Sequence, residues 1–178
     1  MKKVIFFAGL PGVGKSTISK QVTKKTGAKI VDLDDFKKIY VDPALVTNQV
    51  DPPEVRWNYY QKAMEHVFDL FSQGIPMVVI DEVFHLSSLR LRLEALCAEQ
   101  HVDVIWVEVR CAYDVVEQRL RSKGREGHIL STDEALSINR QFKEIFEEFS
   151  IGIQNHIVVN NEGDEVDLLV KNILEKVA

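Results

Sequence analysis

Near the start of the chain, "AGLPGVGKST" (8–17) follows the apolar run "VIFF" (4–7), and no other stretch constrains the fold as strongly. The spacing Gly9-x-x-x-x-Gly14-Lys15-Ser16 describes a backbone that a ligand must approach closely. Glycines let the chain curl until consecutive N–H groups point inward at phosphate oxygens. A helix starting at the end of such a loop adds its positive dipole end. Lys15 then supplies a charge for β- and γ-phosphates, and the Ser16 hydroxyl suits Mg²⁺. Gly9, Pro11, Gly12, Val13, Gly14, Lys15, Ser16 and Thr17 are therefore the expected cradle for ATP. Such a cradle needs a buried strand before it and a helix after it.

The rest of the chain supplies that setting. Val4–Ala8 is continuously apolar, as a strand covered on both faces must be. Ser16–Lys25 reads as a helix stopped at Gly27, and "KIVDLD" (29–34) as a second strand. A long helix spans Asp51 to Gly74, with Val55, Tyr59, Ala63, Val67 and Leu70 at helical spacing. "PMVVID" (76–81) is a third strand, and Leu86, Leu89, Leu93 and Leu96 mark the next helix. "VDVIWVEV" (102–109) leads into a helix from about Ala112 to Lys123. Ser131 and Glu134 form a capping box before a helix carrying Leu136, Phe142, Ile145, Phe146 and Phe149. "HIVVN" (156–160) is a fifth strand, and a last helix starts near Asp164. Alternation of apolar strands with helices predicts one α/β domain over 1–178: a parallel sheet with helices on both faces.

Composition narrows the partners. A net charge of −5 leaves no basic field for long nucleic acid, so phosphate binding must be local. The chain has no run of about 18 apolar residues, so no membrane span is expected. Its apolar start is too short for a signal peptide. The two cysteines, Cys97 and Cys111, match neither zinc nor redox spacing, and five histidines show no ligand spacing. A reducing cytoplasm is the expected setting.

Three nucleotide-using classes remain. A GTPase needs an Asn-Lys-x-Asp guanine motif; the corresponding place reads "NNEGD", and "DEVF" stands where its switch glycine belongs. A regulatory ATPase has support from "MVVIDE", four apolar residues leading into Asp81-Glu82, but little chain remains for a helical lid domain. A kinase gains from "VDLDDF" (31–36). On a strand Asp32 and Asp34 share a face, which at a strand end meets the phosphate site. Asp34 is then the expected base for an acceptor hydroxyl, with Asp32, Asp81 and Ser16 around Mg²⁺. N-capping of a helix by Asp34 or Asp35 is the plain alternative. "EQRLRSKGREGHILS" (117–131) offers a lid at about 121–131, with Arg125 expected at the γ-phosphate and Arg119 near the adenine. Lys15, Asp34 and Arg125 are thus the expected catalytic residues.

With "GLPGVGKS", the Asp-x-Asp and the arginine-bearing lid in place, the chain resembles the P-loop kinases that include shikimate, gluconate and polynucleotide 5′-hydroxyl kinases. "VVIDEVFHLSSLRLRL" followed by "DVIWVEVRC" is similar to the chloramphenicol phosphotransferases. That resemblance implies a three-layer P-loop NTPase fold with strand order 2-3-1-4-5. It also implies that Asp34 deprotonates the acceptor and that Asp81 and Glu82 stand at the back of the pocket. The acceptor-side segment, about 35–60, does not match, so the substrate stays open. Asp35, Lys37, Tyr40, Arg56, Trp57, Tyr60, Glu82, His85 and Arg90 are the residues that can face an acceptor there. The expectation is ATP- and Mg²⁺-dependent phosphorylation of a small-molecule hydroxyl. A regulatory ATPase and a nucleic-acid 5′-hydroxyl kinase are the alternatives.

Overall fold

A computed structural model describes residues 2–41, 50–122, 132–149, 152–163 and 165–177. Five strands, β1 (Lys3–Ala8), β2 (Lys29–Asp32), β3 (Met77–Asp81), β4 (Asp103–Arg110) and β5 (His156–Asn160), form a single sheet in the order β2-β3-β1-β4-β5. All neighbours are parallel, so each connection must cross over, and helices do the crossing. These are α1 (Lys15–Thr26), α2 (Leu33–Tyr40), α3 (Pro53–Ser72), α4 (Ser87–Glu99), α5 (Tyr113–Ser122), α6 (Thr132–Ile145) and α7 (Val166–Val177).

The alternation of side chains along β1 explains the three layers. Val4, Phe6 and Ala8 point into one apolar cluster with α3 and α4, where Phe6 stacks on Trp106 at 4.4 Å and Phe84 meets the same indole edge-on. Ile5 and Phe7 point the other way, against Ile18 and Val22 of α1 and Val170 and Ile173 of α7. Every residue from Val4 to Ala8 is fully buried, as a central parallel strand requires.

Two expected elements are redrawn. The second strand stops at Asp32 and does not run on to Asp34, because the Asp32 carboxylate accepts the Asp34 N–H at 2.9 Å and caps α2. Asp34 therefore sits in the first turn of a helix, and the shared strand face gives way to a cap. The cap is Asp32 itself, not Asp34 or Asp35. The helix after residue 131 ends at Ile145, short of Phe146 and Phe149. There the Arg90 guanidinium takes the carbonyls of Glu147 and Glu148, and the Glu147 N–H goes to the His85 carbonyl. Those long-range partners replace the helical ones. Lys123, Arg125 and most of the expected lid, the capping residue Ser131, and Asp164 at the start of the last helix lie outside the described residues.

Candidate active site

The sheet brings its polar residues together at the carboxyl ends of three adjacent strands. Register pairs Asp32 with Asp81 and Asp81 with Phe7, immediately before the glycine loop. Open parallel sheets hold ligands at this edge. A cavity of about 340 Å³ opens here, lined by Pro11, Lys15, Ser16, Ser19, Lys20, Asp32, Asp34, Asp81 and Glu82 among others.

The loop keeps its shape through tight packing. Gly14 has φ 94° and begins α1; a Cβ there would collide with the Asn161 amide. Gly9 likewise lies against the Val109 carbonyl. Two buried asparagines hold the loop from outside: Asn161 Nδ2 donates to the Val13 carbonyl at 2.8 Å, and Asn139 Nδ2 donates to that of Pro11 at 2.6 Å. Lys15 is nearly buried, with Nζ donating to the Leu10 carbonyl at 3.1 Å. Helix geometry leaves the first-turn amides of α1, those of Lys15 and Ser16, without partners inside the helix. Such a lysine and amide set can bind a polyphosphate chain.

Asp81 faces this loop. The Ser19 hydroxyl donates to its Oδ2 at 3.2 Å, and the Ser16 hydroxyl lies close to it. Burial pushes the Asp81 carboxyl above the usual range, while Lys15 and the two hydroxyls oppose that shift. The Ser16 hydroxyl and the Asp32 and Asp81 carboxylates line one cavity and are oxygen donors, the ligand type that Mg²⁺ takes. Among the described residues, no group of three or more His, Cys, Asp or Glu side chains is placed to hold a metal ion.

Asp34 lines the same cavity. Its carboxyl is raised above the usual range, first by desolvation, then by the negative charges of Glu82 and Asp32, against the opposing pull of Lys37 and Lys38. A carboxylate tuned upward beside a phosphate cradle can take a proton from a bound hydroxyl.

The expected residues divide cleanly. Gly9, Pro11, Gly12, Val13, Gly14, Lys15, Ser16 and Thr17 form the loop and the helix start, and of these Pro11, Lys15 and Ser16 line the cavity with Asp32, Asp34, Asp81 and Glu82. Arg119 does not line this cavity. Its guanidinium donates to the Asn161 carbonyl at 2.9 Å and the Gly163 carbonyl at 3.3 Å, tying α5 to the segment after β5. On the acceptor side, only Glu82 of the nine candidates lines the cavity. Trp57, Tyr60, His85 and Arg90 belong to the core instead, buried to 7% exposure or less. Arg92 covers the Trp57 ring at 3.9 Å, and burial drives the His85 imidazole down to about 3, keeping it neutral. Lys37 pairs with Asp51 at 2.7 Å, Asp35 pairs with Lys38, and Tyr40 lies exposed against Phe36.

Ser19, Asn139 and Asn161 were not legible as site residues. Ser19 falls one helical turn beyond Ser16, so helical spacing alone places it on the loop's face. Nothing local marks the two asparagines, whose loop contacts span 128 and 148 residues.

Comparison with known proteins agrees with this fold. Residues 4–146 match the model of a family described as an AAA domain, and the chain belongs to that family. Its fold is that of the P-loop small-molecule kinases. An unliganded sugar kinase from Janibacter sp. HTCC2649 superposes with a TM-score of 0.74 at 18% identity, covering 99% of this chain and 95% of that one. A gluconokinase from Sinorhizobium meliloti 1021 gives 0.72 at 16% identity, with 98% and 91% covered. The APS kinase of Mycobacterium tuberculosis, in complex with AMPPNP and APS, gives 0.65 at 18% identity, with 99% and 97% covered. Comparison with curated protein sequences finds no significant match.

Proposed function

We propose that this protein is an ATP-dependent kinase that transfers the γ-phosphoryl group to a hydroxyl of a small molecule. The observation that carries this reading is the meeting of Asp34, an upward-shifted carboxylate, with the Lys15 phosphate loop in one cavity. In this reading Lys15 and the first amides of α1 hold the β- and γ-phosphates, neutralising charge where it develops. Asp34 accepts the proton of the acceptor hydroxyl as its oxygen bonds to phosphorus and the bond to the β-phosphate oxygen breaks. Ser16, Asp32 and Asp81 would hold Mg²⁺, which supplies charge neutralisation on the phosphates. Arg119 and the segment at 161–163 would border the nucleobase, and Arg125 would reach the γ-phosphate. The unit is a single domain over 1–178, and a cytoplasmic setting suits its substrates. The structural likeness to a sugar kinase and a gluconokinase supports a small hydroxyl acceptor.

The test is ADP release with Mg·ATP across a panel of hydroxyl acceptors, with wild type and Asp34→Asn in parallel. Asp34→Asn is expected to retain ATP binding and to lose ~10²–10⁴-fold in acceptor-stimulated release. Lys15→Ala is expected to lose nearly all turnover. Steady release indifferent to acceptor and to Asp34 would favour the ATPase alternative, with Glu82 as the next residue to change.

A further inference from the structure

Asp51 is a buried carboxylate, 4% exposed, that stands two residues before α3. It does not cap that helix: the cap position is Pro52, and no side chain bonds the helix start. Three groups converge on its Oδ2 instead, Lys37 Nζ at 2.7 Å, the Tyr59 hydroxyl at 3.5 Å and Arg56 Nη2 at 4.0 Å. Burying a carboxylate is costly, and the cations that meet it offset the cost.

Both cations lead back to the cavity. Lys37 lies on α2 one turn after Asp34, so the two share a face of that helix. Of the eight described residues of α2, Leu33 alone is buried, and Phe36 is half-buried with its ring near that of His66 on α3. The Asp32 cap fixes where α2 begins, and the Lys37–Asp51 pair ties the face that carries Asp34 to the start of α3. Arg56 runs the other way. Its Nη1 meets Glu82 Oε1 at 3.3 Å, and that oxygen also accepts the Val83 N–H at 2.8 Å. The Val83 carbonyl accepts the Gly9 N–H at 3.2 Å, where the phosphate loop starts. Asp51 thus connects the helix bearing Asp34 to the strand end beside the loop.

We infer that Asp51 is a positioning residue for phosphoryl transfer, holding α2 through Lys37 so that the Asp34 carboxylate meets the acceptor hydroxyl. This rests on the kinase reading above and adds to it a residue set behind the base. A roll of α2 that moves Asp34 by about 1 Å should cost ~10²-fold in transfer while the phosphate loop keeps its grip on ATP.

The experiment measures kcat and the KM for ATP in acceptor-stimulated ADP release, with glucose, gluconate, adenosine and kanamycin as acceptors. Wild type, Asp51→Asn, Lys37→Met, Lys37→Arg and the double variant Lys37→Met/Asp51→Asn run in parallel, with active sites counted by ATP titration calorimetry. Asp51→Asn and Lys37→Met are each expected to lose ~10²-fold in kcat per site, with the KM for ATP within ~2-fold of wild type. Lys37→Arg keeps a cation on Asp51 and should stay within ~3-fold of wild type. The double variant should fall no further than the poorer single, because the two residues act as one unit. It leaves neither charge of the pair buried alone, so it decides the matter even where a single variant does not fold. Wild-type kcat in the double variant, losses that multiply, or a loss that follows weakened ATP affinity would overturn the inference and leave the kinase reading standing. No stimulation of the wild type by any acceptor would remove the kinase reading and the inference with it.

Discussion

Asp34 shows how one side chain is tuned by its neighbours. Desolvation and the charges of Glu82 and Asp32 raise its carboxyl, and only the ionised form can accept a proton. Activity should therefore fall as pH drops through a value above the ordinary carboxylate range. Replacing Glu82 by Gln removes one neighbouring negative charge and makes the Asp34 anion easier to form. The acid limb of kcat/KM against pH should then move to lower pH; an unmoved limb would assign it to another group. Asn161 is tuned for shape instead. Its amide reaches the Val13 carbonyl from a position where any Cβ on Gly14 would strike it. Asn161→Ala is expected to cost ~1–2 kcal/mol of stability and, with the loop loosened, ~10-fold in ATP affinity, read by titration calorimetry.

At the scale of elements, α4 and the segment that follows α6 are held together by a buried arginine. Arg90 donates to three main-chain carbonyls at 2.6–2.8 Å and lies 4.2 Å from the Phe149 ring centroid. Arg90→Ala would leave buried carbonyls without donors and should lower stability by ~3 kcal/mol, measurable by urea unfolding. This contact also shows where sequence reading stopped. β1, β3 and β4 were legible because buried parallel strands are continuous apolar runs, β5 because its short β-branched run stands alone, and α3 because its apolar spacing persists for 20 residues. The end of α6 was not, because its period of aromatic residues continues past Ile145 while Arg90, some 57 residues away, captures the carbonyls. In the same way "DLDD" reads equally as strand or cap until the Asp32 carboxylate is seen on the Asp34 amide. The phosphate side of the site was legible from local spacing. The acceptor side was not, since Trp57, Tyr60, His85 and Arg90 are polar or amphipathic residues that the core absorbs.

Taken as one molecule, the site joins parts distant in the chain: the loop after β1, the ends of β2 and β3, an asparagine of α6 and another after β5. A ligand that binds only this assembled arrangement stabilises the whole fold. Mg·ATP at 100 times its Kd should add ~2.7 kcal/mol to unfolding, and the gain should shrink in Lys15→Ala when followed by thermal unfolding. The two asparagine tethers carry a consequence for biosynthesis. The glycine loop is translated before its tethers, which follow 128 and 148 residues later. At ~5–20 residues per second, the loop waits roughly 7–30 s on the ribosome before its last tether is made. A chain synthesised only as far as β4 thus carries the glycine loop without either of the side chains that fix its shape.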